Sequence, residues 1–129
     1  MLEVEDTERA KAQAKAQLES IIEMVKALDT ESEDAREEAL QAIQEDALSV
    51  QVRSGWYQPG ETPEAEEYEI LLCTGGPAAR IIGELGLHDE PETAHLQYQD
   101  WFTPWIDYPT RDDDHQALLT YARCFYFGG

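Results

Sequence analysis

The thiols and imidazoles are the side chains in this sequence with the most evident catalytic chemistry. Nucleophilic catalysis by Cys73 with His95 would need a thiolate beside a base in an electropositive setting. The chain instead carries 28 acidic against nine basic residues, a formal charge of −19. Both cysteines, Cys73 and Cys124, lie in apolar stretches. We therefore expect buried free thiols, a reducing cytoplasm as the compartment, and no catalytic residue.

A second set of reactive side chains is the run Asp112-Asp113-Asp114-His115. A hard cation needs several oxygens that converge from a shaped loop, whereas consecutive side chains point in different directions. Acids in a first helical turn also suit the helix macrodipole. No Cys or His pair has zinc spacing. The run therefore indicates a helix start, and we expect neither a metal nor a cofactor.

Gly75-Gly76-Pro77 could hold an anion on backbone N–H groups ahead of a helix, with Arg80 one turn in. The segment lacks the Lys-Ser/Thr pair of a nucleotide-binding loop and the full spacing of a dinucleotide motif. A tight strand-to-helix turn is the favoured interpretation.

Aromatic residues concentrate in two places, Trp56-Tyr57 and the segment from Trp101 to Tyr108, which includes Trp105. Bases stack on such rings only inside a positive groove, and the chain has four basic residues after position 48. Two interpretations stay open: packing of helix against sheet, or anchors at a protein interface.

The acidic runs are the most unusual feature of the sequence. A net charge of magnitude about 2–8 keeps a small domain soluble, and a larger excess destabilises the compact state by self-repulsion. An excess of this size indicates a use. The field repels nucleic acid and anionic lipid and attracts basic surfaces. The candidate partner-binding acids are Glu31, Glu33, Asp34, Glu37, Glu38, Glu64, Glu66, Glu67, Asp112, Asp113 and Asp114.

The first 48 residues contain no Gly, no Pro and no aromatic residue, and they predict an acidic helical hairpin. Leu18, Ile21, Ile22, Val25 and Leu28 recur at helical spacing. Thr30 and Glu33 form a predicted capping box for a second helix that runs to about Leu48.

Residues 49–129 read as an α+β core. Alternation predicts half-buried strands at Val50–Val52, at Glu67–Cys73 and at Ala94–Gln99. A short helix is predicted after Pro77, with Ile81, Ile82 and Leu85 inward, and a last helix begins at a Thr110–Asp113 capping pair. The predicted fold is one α+β domain over residues 1–129: the hairpin, a small antiparallel sheet of three or four strands, and two further helices.

Three strings together resemble a family of small uncharacterised proteins encoded by phages and mobile elements. They are Gly75-Gly76-Pro77-Ala78-Ala79-Arg80, Leu96-Gln97-Tyr98-Gln99-Asp100-Trp101 and Tyr121-Ala122-Arg123-Cys124-Phe125-Tyr126-Phe127-Gly128. The resemblance covers about residues 67–129 and carries no catalytic residues. It implies a context in which small acidic proteins inhibit host nucleases, including anti-restriction and anti-CRISPR proteins.

The sequence thus predicts a non-enzymatic, acidic phage-type inhibitor in the host cytoplasm. It would occupy the basic groove of a nucleic-acid-binding defence enzyme by mimicry of DNA or RNA. It would not bind nucleic acid or membrane itself, and it could form a homodimer. The alternative is a protein-binding module whose interface is the helical hairpin and the aromatic loop with Trp101, Trp105 and Tyr108, the acidity being incidental.

Overall fold

The computed structural model describes residues 2–100 and 103–127. They form three α-helices, five strands and one 3₁₀ turn. In chain order these are α1 (Leu2–Ala27), α2 (Glu33–Asp46), β1 (Ser49–Ser54), β2 (Ala65–Cys73), β3 (Ala78–Glu84), the 3₁₀ turn (Leu87–Asp89), β4 (His95–Gln99), β5 (Ile106–Asp107) and α3 (Asp112–Ala122).

The strands form one antiparallel sheet in the order β1-β2-β3-β4-β5. Each strand pairs with its neighbour in sequence, so the sheet is a simple meander. The predicted α+β class with an antiparallel sheet is confirmed. The sheet has five strands where three or four were predicted, because β3 and the two-residue β5 had not been recognised as strands.

The helix predicted after Pro77 is wrong, since Ala78–Glu84 is strand β3. Its burial alternates with period two: Ala79 and Ile81 are buried, whereas Arg80 and Ile82 are half-buried. Ile81 and Ile82 are β-branched and favour a pleated surface. Gly75 and Gly76 both have positive φ, at 104° and 116°, which suits the reversal of a β2–β3 hairpin and not a helix N-terminus.

Both predicted helix caps are displaced along the chain. Ser32, and not Thr30, is the N-cap of α2, where its hydroxyl accepts a 3.2 Å hydrogen bond from the Ala35 amide. The helix begins at Glu33, so Glu33 cannot close a box with Thr30. At α3 the Arg111 amide donates to the Asp114 carboxylate at 3.1 Å, which replaces the predicted Thr110–Asp113 pair.

One face of the sheet carries the core. Ile70, Ile81 and Leu96 on the three middle strands are completely buried. The N-terminal helix α1 packs over β3 and β4 and against both other helices. Its apolar stripe extends the predicted one toward the N-terminus through Ala10 and Ala14, both fully buried. Short alanine side chains allow the helix to approach its neighbours closely.

The helical cover thins out toward β1. Val50 pairs with Ile70 and Val52 with Tyr68, so the two valines point to the helix side of the sheet. They are nevertheless 36% and 45% exposed. The strand was predicted correctly, but its predicted half-burial was wrong because β1 is the outermost strand, beyond the helices. In the described part of the chain, no helix is long and apolar enough to cross a membrane.

Candidate acidic interface

The densest acidic run forms an exposed strip on α2. Glu33, Asp34, Glu37 and Glu38 are all exposed, and at 100° per residue they cover an arc of about 140° on the helix. The buried side of α2, Ala39 and Ile43, lies nearly opposite. Packing therefore presents the strip to solvent and holds it there.

The carboxylates of the strip have no ion-pair partner within the described residues. Glu31, just before the helix, is exposed in the same way. Glu33 and Asp34 lie in the first turn of α2, where the helix dipole favours negative charge. We define the acidic strip as these five residues: Glu31, Glu33, Asp34, Glu37 and Glu38.

A second group of acids gathers at one end of the sheet. The Leu85 amide donates to the Glu66 carbonyl at 2.8 Å, and the Glu92 amide donates to the Glu84 carbonyl at 2.9 Å. These bonds place Glu66, Glu84 and Glu92, all exposed, on neighbouring segments. Because Glu84 pairs with Glu67, the side chains of Glu84 and Glu66 point to opposite faces of the sheet. Glu64 and Glu90 extend the same group, although Glu90 forms a 3.3 Å ion pair with Arg123.

Two glycines make room for this group. A side-chain carbon at Gly55 would collide with the Glu66 carboxylate, and one at Gly86 would collide with Glu92. The Glu66 carboxylate therefore lies against the backbone of Gly55, and the Glu92 carboxylate lies against the backbone of Gly86. Gly55 and Gly86 therefore position these two acids as well as turning the chain.

The predicted acids of the other two runs have mixed surroundings. Asp112 and Asp113 at the start of α3 are exposed. Asp114 is half-buried, and its carboxylate accepts a hydrogen bond from the Arg111 amide. Glu67 accepts two hydrogen bonds from Arg53, at 2.9 and 3.0 Å. The Arg53 guanidinium lowers the pKa of the Glu67 carboxyl below its ordinary value. Glu67 and Asp114 are thus engaged within the fold.

The face of the sheet away from the helices carries a polar ladder. Arg80 donates to Glu69 at 2.6 Å and to Gln97 at 2.9 Å, and Gln97 donates to Asp107 at 2.8 Å. The ladder spans β2 to β5. A cavity of about 250 Å³ lies between its Arg80–Glu69 pair and the Arg53–Glu67 pair. Each guanidinium in the cavity wall already faces a carboxylate, so the cavity offers no free charge to an anion.

The aromatic segment contributes to this packing. The Arg80 guanidinium lies 4.1 Å from the centre of the Trp105 ring, and Tyr108 packs edge-on against Tyr98 at 6.4 Å. Trp105 and Tyr108 are both half-buried. Trp101 and Phe102 lie outside the described residues. Among the described aromatic residues, those with exposed side chains are Trp56, which is fully exposed, Tyr57 and Tyr126.

The reactive side chains are kept apart. Cys73 ends β2 beside Ala79, whereas His95 begins β4 beside Ile82, so they lie at opposite ends of the sheet. Burial raises the pKa of both the Cys73 and Cys124 thiols. Within residues 2–100 and 103–127, no group of three or more His, Cys, Asp or Glu side chains could hold a metal ion.

Sequence reasoning found the acidic strip and, at the sheet end, Glu64 and Glu66, but it missed Glu84, Glu90 and Glu92. Glu84 has no acidic neighbour in the sequence, and strand pairing places it opposite Glu67. The signal that could have found Glu84 is the alternation in Ala78–Glu84, which pairs Glu84 with Glu67 once the segment is taken as a strand.

Comparisons with protein-family models, curated proteins and solved structures gave no match to this chain.

Proposed function

We propose that this protein binds the basic groove of a nucleic-acid-binding enzyme and blocks it by mimicking the phosphate backbone. The observation that carries the proposal is the acidic strip. Its five carboxylates are exposed and have no ion-pair partner within the described residues. The four on α2 are held on its solvent side by the buried Ala39 and Ile43. Such a strip costs stability through self-repulsion, and a cationic partner would relieve that cost.

The spacing of the strip suits a groove built for nucleic acid. Residues 33–38 rise about 9 Å along the helix axis and carry four carboxylates, roughly one per 2 Å. Duplex DNA carries one charge per about 1.7 Å of its axis. Arg and Lys side chains arranged for phosphates would therefore meet a comparable line of charge.

The resemblance of residues 67–129 to proteins of phages and mobile elements supplies the context. An inhibitor in that setting would act on a host defence enzyme of the CRISPR or restriction type. It would need no cofactor and would leave nucleic acid itself unbound. The aromatic-loop alternative is weaker, because Trp105 lies over the Arg80 guanidinium and Tyr108 packs edge-on against Tyr98, so both half-buried rings already have contacts within the fold.

Capture from a bacterial lysate tests the proposal, with wild-type protein and two variants as bait. The strip variant carries Glu33→Lys, Asp34→Lys, Glu37→Lys and Glu38→Lys. The control variant reverses four exposed acids elsewhere, namely Glu8, Glu19, Glu23 and Glu61. Each reversal adds two charges, so both variants carry −11 instead of −19. Because Lys at the start of α2 opposes the helix dipole, circular dichroism must show that the strip variant is folded.

We expect wild type and control to retain the same nucleic-acid-binding protein and the strip variant to lose it. Single Glu→Gln changes should weaken retention only slightly, because the charge is shared by many carboxylates. If the folded strip variant retains the protein as well as the control does, α2 is not the interface. If the protein retained by wild type binds no nucleic acid, mimicry is wrong.

A further inference from the structure

Strand β1 leaves one edge of the sheet open. It pairs with β2 on one side only, and no strand of the described chain lies on its other side. The strand is regular from Ser49 to Arg53, and its register shifts only between Arg53 and Ser54. The opposite edge, β5, is just two residues long, with Pro104 and Pro109 nearby. Short strands and prolines protect an edge from further pairing, and β1 has neither.

An apolar row runs along this open edge. Leu48, whose amide donates to the Leu71 carbonyl at 2.8 Å, is 61% exposed. Val50 and Val52 continue the row on the helix side of the sheet. A strand added beside β1 would receive backbone hydrogen bonds and would also cover these three side chains.

The edge is also free of acids. Residues 47–60 contain no Asp or Glu, in a chain in which 28 of 129 residues are acidic. Two other acid-free stretches of this length, 70–83 and 115–129, supply core strands and the core helix α3, where burial accounts for the absence of charge. The stretch 47–60 is mostly exposed, so burial within one chain does not account for it. The single cation, Arg53, is paired with Glu67.

We propose that β1 is the interface of a homodimer, in which two copies pair their β1 strands antiparallel across a twofold axis to form a ten-stranded sheet. Twofold pairing is the commonest geometry of homo-oligomers. With Val50 opposite Val50 of the second copy, Leu48 faces Val52 on either side, and every pair on the helix side is apolar. On the other face Ser49 meets Gln51, and no acid opposes an acid.

The exposed aromatic residues after β1 enlarge this interface. Trp56 is fully exposed and Tyr57 is 55% exposed. In an antiparallel arrangement each pair projects past the end of the strand toward the second copy's Leu48 and the end of its α2. A stable interface buries about 800 Å² per partner, and aromatic side chains supply about 150–250 Å² each. Trp56 and Tyr57 therefore add to the area that the six-residue edge can bury.

The charge pattern along the β1 edge favours a second copy of this chain over a basic partner. A basic segment would favour acids along the edge, and residues 47–60 contain none. The carboxylates beside them belong to β2: Glu66 lies against Gly55, and Glu67 is neutralised by Arg53. Another copy with a charge of −19 is repelled everywhere except at an acid-free surface, and charges farther away are screened beyond about 8 Å at physiological salt. The edge is therefore the surface on which two such chains can meet.

A charge-swap experiment at Gln51 tests the dimer. Gln51 is exposed at the centre of β1, so Gln51→Glu and Gln51→Lys both place like charges near the twofold axis. Mass is measured by light scattering and sedimentation across a concentration series. Wild type should approach twice the 14.6 kDa chain mass. Each variant alone should dissociate about two- to fivefold more readily, and a 1:1 mixture should restore the dimer. Gln116→Glu and Gln116→Lys, exposed on α3, are the matched controls and should leave the mass unchanged.

Hydrogen exchange supplies a second readout. Amides of Ser49–Arg53 that point away from β2 should become protected as protein concentration rises, and Gln51→Glu should remove that protection. A wild type that stays at the chain mass throughout the series overturns the proposal. A dimer that neither Gln51 variant weakens shows that the copies meet elsewhere and overturns it equally. Variants that remain monomeric when mixed would show that the change acted on the fold and not across a twofold axis.

Discussion

The acidic strip of α2 and the open edge of β1 are both exposed surfaces, but they differ in every property that governs binding. The strip is a broad band of exposed carboxylates that have no ion-pair partner within the described residues. The edge is a row of apolar side chains with unpaired backbone groups and no acid. A cation-rich groove fits the first surface, and an uncharged strand fits the second.

The contrast shows how a chain of charge −19 can still make specific contacts. Its acids are not spread evenly over the surface, because one exposed segment of 14 residues carries none of them. In the proposed dimer, electrostatic repulsion would disfavour every orientation of the two copies except the one that joins the two edges. Both acidic strips would then remain exposed to the proposed basic partner.

The largest expected effect separates the two surfaces by mutation. The fourfold strip variant should weaken binding to the captured enzyme by about 100-fold or more, since close charge pairs are each worth about 1 kcal/mol or more at an interface. It should leave the dimer intact. Gln51→Glu should do the reverse. Isothermal titration and sedimentation measure the two equilibria, and a variant that damages both would mean that the surfaces are coupled.

Salt should shift the two equilibria in opposite directions. Between about 50 and 200 mM salt, binding to the enzyme should weaken by about tenfold or more, mostly through slower association. Self-association should strengthen over the same range, because screening reduces repulsion between the copies. Kinetic binding traces and sedimentation at matched salt concentrations test this. If salt weakened or strengthened enzyme binding and self-association alike, the proposed difference between the two surfaces would be contradicted.

Tryptophan truncation compares a packed ring with an open one. Trp105→Ala removes the ring over the Arg80 guanidinium and should cost about 1–3 kcal/mol of unfolding free energy. Trp56→Ala removes a fully exposed ring and should leave the monomer's stability unchanged while weakening the dimer. Urea unfolding at low protein concentration measures the first, and sedimentation the second. Equal destabilisation by the two changes would contradict the assignment.

The thiols should contribute to stability and not to binding. Cys73→Ala and Cys124→Ala each remove a half-buried side chain packed against the core, at a cost of about 1 kcal/mol. Burial raises the pKa of both thiols, so iodoacetamide should modify the folded protein slowly near neutral pH and the urea-unfolded protein quickly. Loss of enzyme binding in a folded Cys73→Ala variant would reopen a catalytic role for that residue.

The smallest effect concerns the Arg53–Glu67 pair beside the edge. Because Arg53 lowers the pKa of Glu67 in the folded state, the pair contributes stability at neutral pH. That contribution is lost as the pH falls below the ordinary value of 4.5 and through the depressed one. Thermal unfolding of wild type and Glu67→Gln should therefore differ at pH 7, and the difference should shrink as the pH falls below 4.5. A difference that persists in acid would mean that the change acts through packing.

Much of the fold follows from local patterns. The apolar stripe of α1 and the alternation of β2 and β4 predict their elements because each buries a face on the core. The segment Ala78–Glu84 was misread, since its Pro77 start and its Ile81–Ile82–Leu85 spacing also fit a short helix. The choice there depends on pairing with β2 and β4, and that pairing is not a local property of the sequence.

The two candidate surfaces also differ in how far the sequence alone predicts them. The strip on α2 could be predicted because helical spacing alone places its acids on one side. The exposure of Val50 and Val52 could not, because the same alternation describes a covered strand and an edge strand. Strand pairing decides whether a strand lies at the edge, and the extent of the helices across the sheet decides whether its side chains are covered.

Displacement of nucleic acid tests the central claim most directly. The enzyme captured by the wild-type protein is loaded with a fluorescent duplex or RNA, and the protein is titrated in while anisotropy is recorded. The protein alone should not bind the probe. Wild type should release the probe competitively, with a midpoint that rises in proportion to probe concentration. The strip variant should not release it, whereas the control variant should. A ternary complex, in which enzyme, probe and wild-type protein remain bound together, would contradict mimicry.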